Sequence, residues 1–314
     1  MMHLLKTTDL TPDDLGYLLR RAAKFKAKPL SRRGLLAGDT VCCYFNKPST
    51  RTRISFETAV AHLGGTPLFL GPTDLQLGRG ETLEDTARVV SRFSRALVVR
   101  TFADEHVERL ASAATIPVIN ALTDGHHPCQ SVADLMTVTE RKGALPGLKF
   151  AYLGDGNNVA VSLAQAVALA GASIALGCPA GYSVPDAVVD GVRAIADKQG
   201  GQVLVTEDPL AAVRDADVIY TDVWLSMGHS ENERAERHRA LAPYQVNAAA
   251  MRQAKSDALF LHCLPAHRGE EVTADVCDGP QSVIFDQAEN RLWTSMAILY
   301  GLLEGKLEGS PGAR

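Results

Sequence analysis

Short apolar, β-branched runs alternate with segments of helical periodicity along most of the chain. Strands are predicted at 40–45, 66–70, 96–100 and 117–120, and again at 149–153, 173–177, 202–206, 217–221 and 258–261. Each is a brief hydrophobic run bounded by glycine or polar punctuation. Helix signals fall between several of them. Thr11 precedes Pro12 as an N-cap before an N1 proline, a pairing suited to the orphan amides of a first turn. A helix at 52–63 is closed by Gly64 and Gly65, and one at 83–93 is opened by Thr82 and Asp85 as a capping box. Further helices are predicted at 131–142 and over the tail at 287–307. The densely charged stretch 231–239, ENERAERHR, reads as a solvated helix face or a loop.

Strands alternating with helices imply parallel sheets built from βα units. Gly143, Pro146 and Gly147 interrupt that alternation, which then restarts, so a domain boundary is expected near residue 145. The length of 314 residues fits two domains at roughly 150 residues each. The expected fold class is α/β: two domains, each a mainly parallel sheet flanked by helices. The first covers 1–145 and is completed by the C-terminal helix at about 288–314; the second covers 146–287.

Composition narrows the function classes. Apolar residues make up 46% and charged residues 22%, which disfavours both a disordered chain and a membrane protein. The formal charge of -4 supplies no basic field for nucleic acid or an anionic membrane, so neither is expected as a partner. The N-terminal MMHLLKTTDL lacks the apolar core of a secretion signal, and a cytoplasmic protein is expected. The apolar stretch 159–176 is broken by Ser162, Gln165, Gly171 and Ser173, as suits a buried helix followed by a strand. Six cysteines without a CxxC pair argue against a disulfide framework.

In open α/β sheets ligands bind beyond the carboxyl ends of the strands, and here those positions are polar. NKPSTRTR at 46–53 follows the first strand and leads into a helix. Helix N-terminal amides, the hydroxyls of Ser49, Thr50 and Thr52, and the guanidinium groups of Arg51 and Arg53 suit a phosphate. The blander reading is an N-cap with two solvated arginines. Arg100 ends the third strand, Gln76 lies in the loop after the second, and HHPCQ at 126–130 follows the fourth. Several donors at strand ends favour a phosphorylated small molecule in the first domain. No GxxxxGK[ST] loop and no paired acidic residues for magnesium accompany them, so metal-free anion binding is expected.

Histidines and cysteines at 126–129 and 262–267 match no common zinc spacing, and a hydrogen-bonding role for the imidazoles is preferred. No metal and no cofactor are expected. The second domain opens with YLGDGNNV, where Val159 replaces the third glycine of a dinucleotide fingerprint and LGCP at 176–179 lacks the acidic ribose ligand. Asn157 and Asn158 are instead candidates for a polar substrate. Asp222, in TDVWLSMG at 221–228, can pair with an ammonium group or act as a turn residue. Met227 can simply pack, and Cys263, in HCLPAHRGEE at 262–271, can be a nucleophile, a polar contact or a small buried side chain.

Taken together, STRTR at 49–53, HPCQ at 127–130, DVWLSMG at 222–228 and HCLP at 262–265 resemble the ornithine carbamoyltransferases, within the wider aspartate and ornithine carbamoyltransferase group. The resemblance spans nearly the whole chain. It implies an active site in the cleft between the two domains, where carbamoyl phosphate and L-ornithine react directly to give citrulline and phosphate. By motif, carbamoyl phosphate would contact Ser49, Thr50, Arg51, Thr52, Gln76, Arg100, His127 and Gln130, with Cys263, Leu264 and Arg291 closing the pocket. Ornithine would be held by Asn158, Asp222, Ser226 and Met227. Arg51, Arg100, His127, Asp222 and Cys263 would carry the chemistry. A homotrimer is also implied. Trp293 departs from the histidine frequent in bacterial relatives, and TSM at 294–296 replaces a more polar stretch. Competing readings are a carbamoyltransferase for putrescine or an acylated ornithine, a nicotinamide-dependent oxidoreductase, and a non-catalytic sensor of the same ligands.

Overall fold

The computed structural model describes residues 2–75, 80–225 and 231–310. The chain divides into two compact units, one of Met1–Met136 with Glu289–Arg314 and the other of Thr137–Ala288. It leaves the first unit within helix α5 (Pro128–Lys142) and returns to it within helix α12 (Ile284–Leu303). The Gly143 to Gly147 punctuation follows the end of α5, and both glycines take positive φ.

In the first unit, β1 (Thr40–Phe45), β2 (Thr66–Leu70), β3 (Leu97–Arg100) and β4 (Val118–Leu122) pair in parallel in the order β2-β1-β3-β4. Helices α1 (Pro12–Ala27), α2 (Thr50–His62), α3 (Leu83–Val90) and α4 (Asp104–Ala113) accompany them. From Val41 onward β1 is buried at every position, as expected of a parallel strand covered on both faces. Cys42, Tyr44, Leu97, Val99 and Val118 build one side of this core with Val107 and Leu110 of α4. The two predicted helix starts differ in detail. Thr11 and Asp14 form a complete capping box, whereas Thr82 accepts from the Asp85 amide and Asp85 turns its carboxylate to Arg88 at 2.8 Å.

In the second unit, β5 (Lys149–Leu153), β6 (Ser173–Gly177), β7 (Val203–Thr206), β8 (Val218–Thr221) and β9 (Leu259–Leu261) form a parallel sheet in the order β7-β6-β5-β8-β9. Helix α6 (Asn158–Leu169) is buried along almost its whole length, which explains the apolar stretch at 159–176 without a membrane. Helices α7 (Asp186–Gln199), α8 (Pro209–Val213), α9 (Glu231–Leu241), α10 (Ala248–Gln253) and α11 (Ala274–Cys277) complete the unit. The charged stretch 231–239 is therefore helical. All six cysteines are free, and all but Cys263 are buried. Burial pushes the thiols of Cys42, Cys129 and Cys178 up to about 12, so they remain protonated.

Candidate active site

Strand order dictates where a ligand can enter each sheet. In the first unit the direction of winding reverses between β1 and β3; in the second it reverses between β5 and β8. Crossover helices leave adjacent strands in opposite directions there and open a crevice at the carboxyl ends. The polar motifs singled out in the sequence follow those four strands or lie in the sequence after β2, β4 or β9.

Helix α2 begins one residue after Ser49, directly beyond β1. Ser49 makes no side-chain capping bond, so its hydroxyl is not spent on the helix terminus as the blander reading of this motif requires. The first-turn amides carry the positive end of the helix dipole. Arg51 and Arg53 then diverge. Arg53 is bound to Glu57 at 3.0 Å and lies over the Phe69 ring at 3.6 Å, which accounts for its guanidinium. Arg51 instead contributes to the field at His127, as do Arg100 and Arg291.

His127 is buried, and its pKa lies well below the ordinary imidazole value because of desolvation first and then the repulsion of Arg291, Arg100 and Arg51. It is therefore neutral at pH 7, an imidazole in the field of three guanidinium groups. Arg291 is itself buried and donates to Gln130 Oε1 at 2.5 Å and to Thr52 Oγ1 at 3.1 Å. Gln130 in turn donates to Asp134 at 2.7 Å. Thr52, Gln130 and Arg291, predicted from three distant motifs, thus form one bonded group. Thr50 is exposed and Ser49 partly so at the mouth of this region. Cys129 donates to the Asn120 carbonyl at 3.4 Å inside the core, a packing role. Trp293 donates to Glu289 at 2.9 Å and rests on His62. Gln76 lies outside the described residues.

In the second unit, Asp222 follows β8 and is buried. One carboxylate oxygen accepts from Asn157 Nδ2 at 2.8 Å and the other from the Cys263 thiol at 3.0 Å. Asn157 is fixed in turn as N-cap of α6, accepting from the amides of Val159 and Ala160. A carboxylate has about four lone-pair sites, so two such donors orient it and leave capacity for an ammonium ligand. Asn158, the asparagine favoured by the resemblance, begins α6; its neighbour Asn157 is the one bonded to Asp222. Ser226 and Met227 lie outside the described residues.

Two further groups hold this arrangement. His262 Nδ1 accepts from the Leu264 amide at 2.8 Å, and its Nε2 lies 3.2 Å from Glu271 Oε1. Both ring nitrogens are engaged, so this imidazole orients the Cys263–Leu264 segment. Leu264 takes φ of 61°, a conformation unusual for a branched residue. Glu271 is fully buried; burial acts to raise its pKa, but the hydrogen bonds from His262 and the His267 amide bring it below the usual carboxylate value. Arg237 pairs with Asp155 and donates to the Trp224 carbonyl at 2.7 Å, tying α9 to the segments after β5 and β8. His262, Glu271 and Arg237 carry no spacing signal that a sequence reading could use.

The glycines after β5 have a structural explanation. A Cβ on Gly156 would stand 2.3 Å from the Val184 amide nitrogen, and Gly154 has φ of 128°. They permit close passage of two backbone segments, which removes the need for a dinucleotide.

Family models match both parts of the chain. Residues 2–140 match the carbamoyl-P binding domain of aspartate/ornithine carbamoyltransferase, and residues 146–302 match the Asp/Orn binding domain. The chain belongs to the aspartate/ornithine carbamoyltransferase family. Among relatives, an ornithine carbamoyltransferase of Acidothermus cellulolyticus is 53% identical over 302 residues, covering 96% of each chain. The solved ornithine carbamoyltransferase of Pyrococcus furiosus superposes with a TM-score of 0.93 at 49% identity, covering 97% of each chain. The anabolic ornithine carbamoyltransferase of Campylobacter jejuni superposes with a TM-score of 0.91 at 34% identity, covering 98% of this chain and 100% of that one. Family membership agrees with the α/β architecture of two parallel sheets and with a division into two ligand-binding units.

Proposed function

We propose that the protein transfers the carbamoyl group of carbamoyl phosphate to the side-chain amine of L-ornithine, giving L-citrulline and phosphate. The observation that carries this reading is the set of three guanidinium groups acting on a neutral, buried His127, in a chain about half identical to named ornithine carbamoyltransferases along nearly its whole length. A dianionic phosphate is matched by Arg51, Arg100 and Arg291 and by the α2 amides; Ser49, Thr50, Thr52 and Gln130 supply further polar contacts, as does Gln76. His127 is suited to donate a hydrogen bond to the carbamoyl oxygen.

The chemistry is nucleophilic acyl transfer. The neutral amine of ornithine attacks the carbonyl carbon, a tetrahedral intermediate forms, the carbon–oxygen bond to phosphate breaks, and the amine nitrogen loses a proton. Preorganised donors at the developing oxyanion contribute about 3–4 kcal/mol each in comparable sites. The oriented carboxylate of Asp222 is suited to receive the substrate amine, with Cys263 and Asn157 setting its angle. Asn158, Ser226 and Met227 are assigned to the rest of ornithine, and Cys263 and Leu264 also to the carbamoyl group. No covalent enzyme intermediate is required.

The purified chain should form citrulline from carbamoyl phosphate and L-ornithine, but no carbamoylated product with putrescine, N-acetylornithine or aspartate offered in parallel. Activity with another acceptor alone would keep the phosphate half-site and overturn the assignment of Asp222. A homotrimer belongs to the same proposal, and light scattering on this preparation should give the mass of three chains; a monomer mass would reject it. No helix among the described residues is long and apolar enough to cross a membrane. A cytoplasmic location is proposed on composition, to be checked by fractionation, and a biosynthetic direction is favoured by the likeness to an anabolic relative.

A further inference from the structure

Behind the Cys263 loop, four side chains of the second unit converge in an arrangement that hydrogen bonding does not explain. Glu271 is fully buried and uses one carboxylate oxygen, Oε1, on His262 and the His267 amide. Its other oxygen, Oε2, is buried with no hydrogen-bond partner and lies 3.8 Å from His267 Nδ1. Glu270 repeats the pattern. Its Oε1 lies 3.7 Å from Arg234, while Oε2 is buried without a hydrogen bond, 3.5 Å from His238 Nε2 and 4.0 Å from His267 Nδ1.

Those separations exceed the roughly 2.7–3.2 Å of a nitrogen–oxygen hydrogen bond. They approach the spacing of ligands that share one cation. With metal–ligand bonds of about 2.0–2.2 Å, tetrahedral zinc places its ligand atoms about 3.3 Å apart. The His267, Glu270 and Glu271 ligand atoms all lie within 4.8 Å of one another. The support expected of a metal site is present as well: His262 and the His267 amide fix Glu271, and the Trp224 ring meets His238 edge-on at 5.5 Å. His267 and His238 are partly exposed, at 47% and 31%, which gives an ion a way in.

We propose that His267 Nδ1, Glu270 Oε2 and Glu271 Oε2 form a three-ligand divalent-cation site of the nitrogen–oxygen type that zinc favours, with His238 Nε2, 3.5 Å from Glu270 Oε2, as an outer partner of Glu270. The site joins α9 to the loop that follows Cys263. It is separate from the Asp222, His262 and Cys263 group, in which the thiol and both imidazole nitrogens are already engaged.

The test uses the full chain stripped with a chelator and titrated with Zn²⁺ alone by calorimetry, in parallel with Cys263→Ser, His267→Ala and His238→Ala. The wild type and Cys263→Ser should each bind one equivalent with similar affinity. His267→Ala should weaken binding by at least about 100-fold, beyond the effect of losing an outer partner, and His238→Ala, the loss of such a partner, should weaken it less. Zn²⁺ should raise the unfolding midpoint of Cys263→Ser but not of His267→Ala, and matching far-ultraviolet circular dichroism shows that both are folded. Co²⁺ bound in place of zinc should lack a sulfur charge-transfer band. Absence of uptake, or uptake abolished by Cys263→Ser and retained in His267→Ala, would overturn the site.

Discussion

His127 owes its neutral state to burial first and to three nearby guanidinium groups second. An unfolded chain imposes neither, so its imidazole titrates near the ordinary value of about 6.5. Below that pH the unfolded state takes up a proton that the folded state refuses, and stability must fall as pH falls. The contribution is fully present above about 6.5 and is lost on the acid side, toward the folded pKa. His127→Gln keeps an amide donor without the titration. Denaturant unfolding between pH 7 and 5 should therefore show a shallower acid loss in the variant, by up to about 1.4 kcal/mol per pH unit. Parallel curves for the two proteins would mean that His127 is not held neutral. His126 and His3, also depressed chiefly by burial, contribute equally to both and cancel. The same neutrality matters for the proposed chemistry, since an imidazolium would add a fourth positive charge and change which nitrogen can donate.

At the scale of the element, one substitution should act with opposite signs in two helices. Gly64 ends α2 with φ of 91°, and a Cβ there would lie 1.7 Å from the Arg33 carbonyl oxygen. Gly64→Ala should destabilise by about 1–3 kcal/mol. Gly191 lies inside α7, exposed, with nothing near an added Cβ; Gly191→Ala should stabilise by about 0.5–1 kcal/mol. Equal denaturation midpoints for the two variants would refute the reading of Gly64 as a left-handed helix stop. The Gly64 stop was legible because a glycine pair directly follows an apolar periodic segment. Strands such as β1, β2, β5 and β6 were legible to the residue because each is a short apolar run set off by polar or glycine punctuation; β1, β5 and β6 are buried along nearly their whole length, whereas β2 lies at the sheet edge and is not. Candidates for the site were legible where chemistry and strand ends coincide, as at Arg51, Arg100, His127 and Asp222, whose roles belong to the proposal. Arg53 shares its motif with Arg51, yet it is turned to Glu57 and Phe69. The support from Asn157, His262 and Glu271 depends on which loops the fold brings together, and spacing along the chain does not encode that.

At the scale of the whole molecule, the proposed reaction divides its labour between units with separate cores. Thr52, Arg51, Arg100, His127, Gln130 and Arg291 all belong to the first unit, including the helix that returns to it; Asn157, Asp222 and Cys263 belong to the second. Transfer brings two bound reactants together and draws on the large entropic advantage of holding both, so each half-site should keep its own ligand while turnover requires both. Asp222→Ala removes the acceptor of the Asn157 and Cys263 bonds without touching any group that acts on His127. Calorimetry should find carbamoyl phosphate bound by this variant within about threefold of wild type, a difference of under about 1 kcal/mol. Citrulline formation should fall by two or more orders of magnitude, as for loss of a positioned catalytic contact worth about 3 kcal/mol. If carbamoyl phosphate binding collapsed instead, Asp222 would belong to the phosphate half of the site, and the assignment of one substrate to each unit would have to be abandoned.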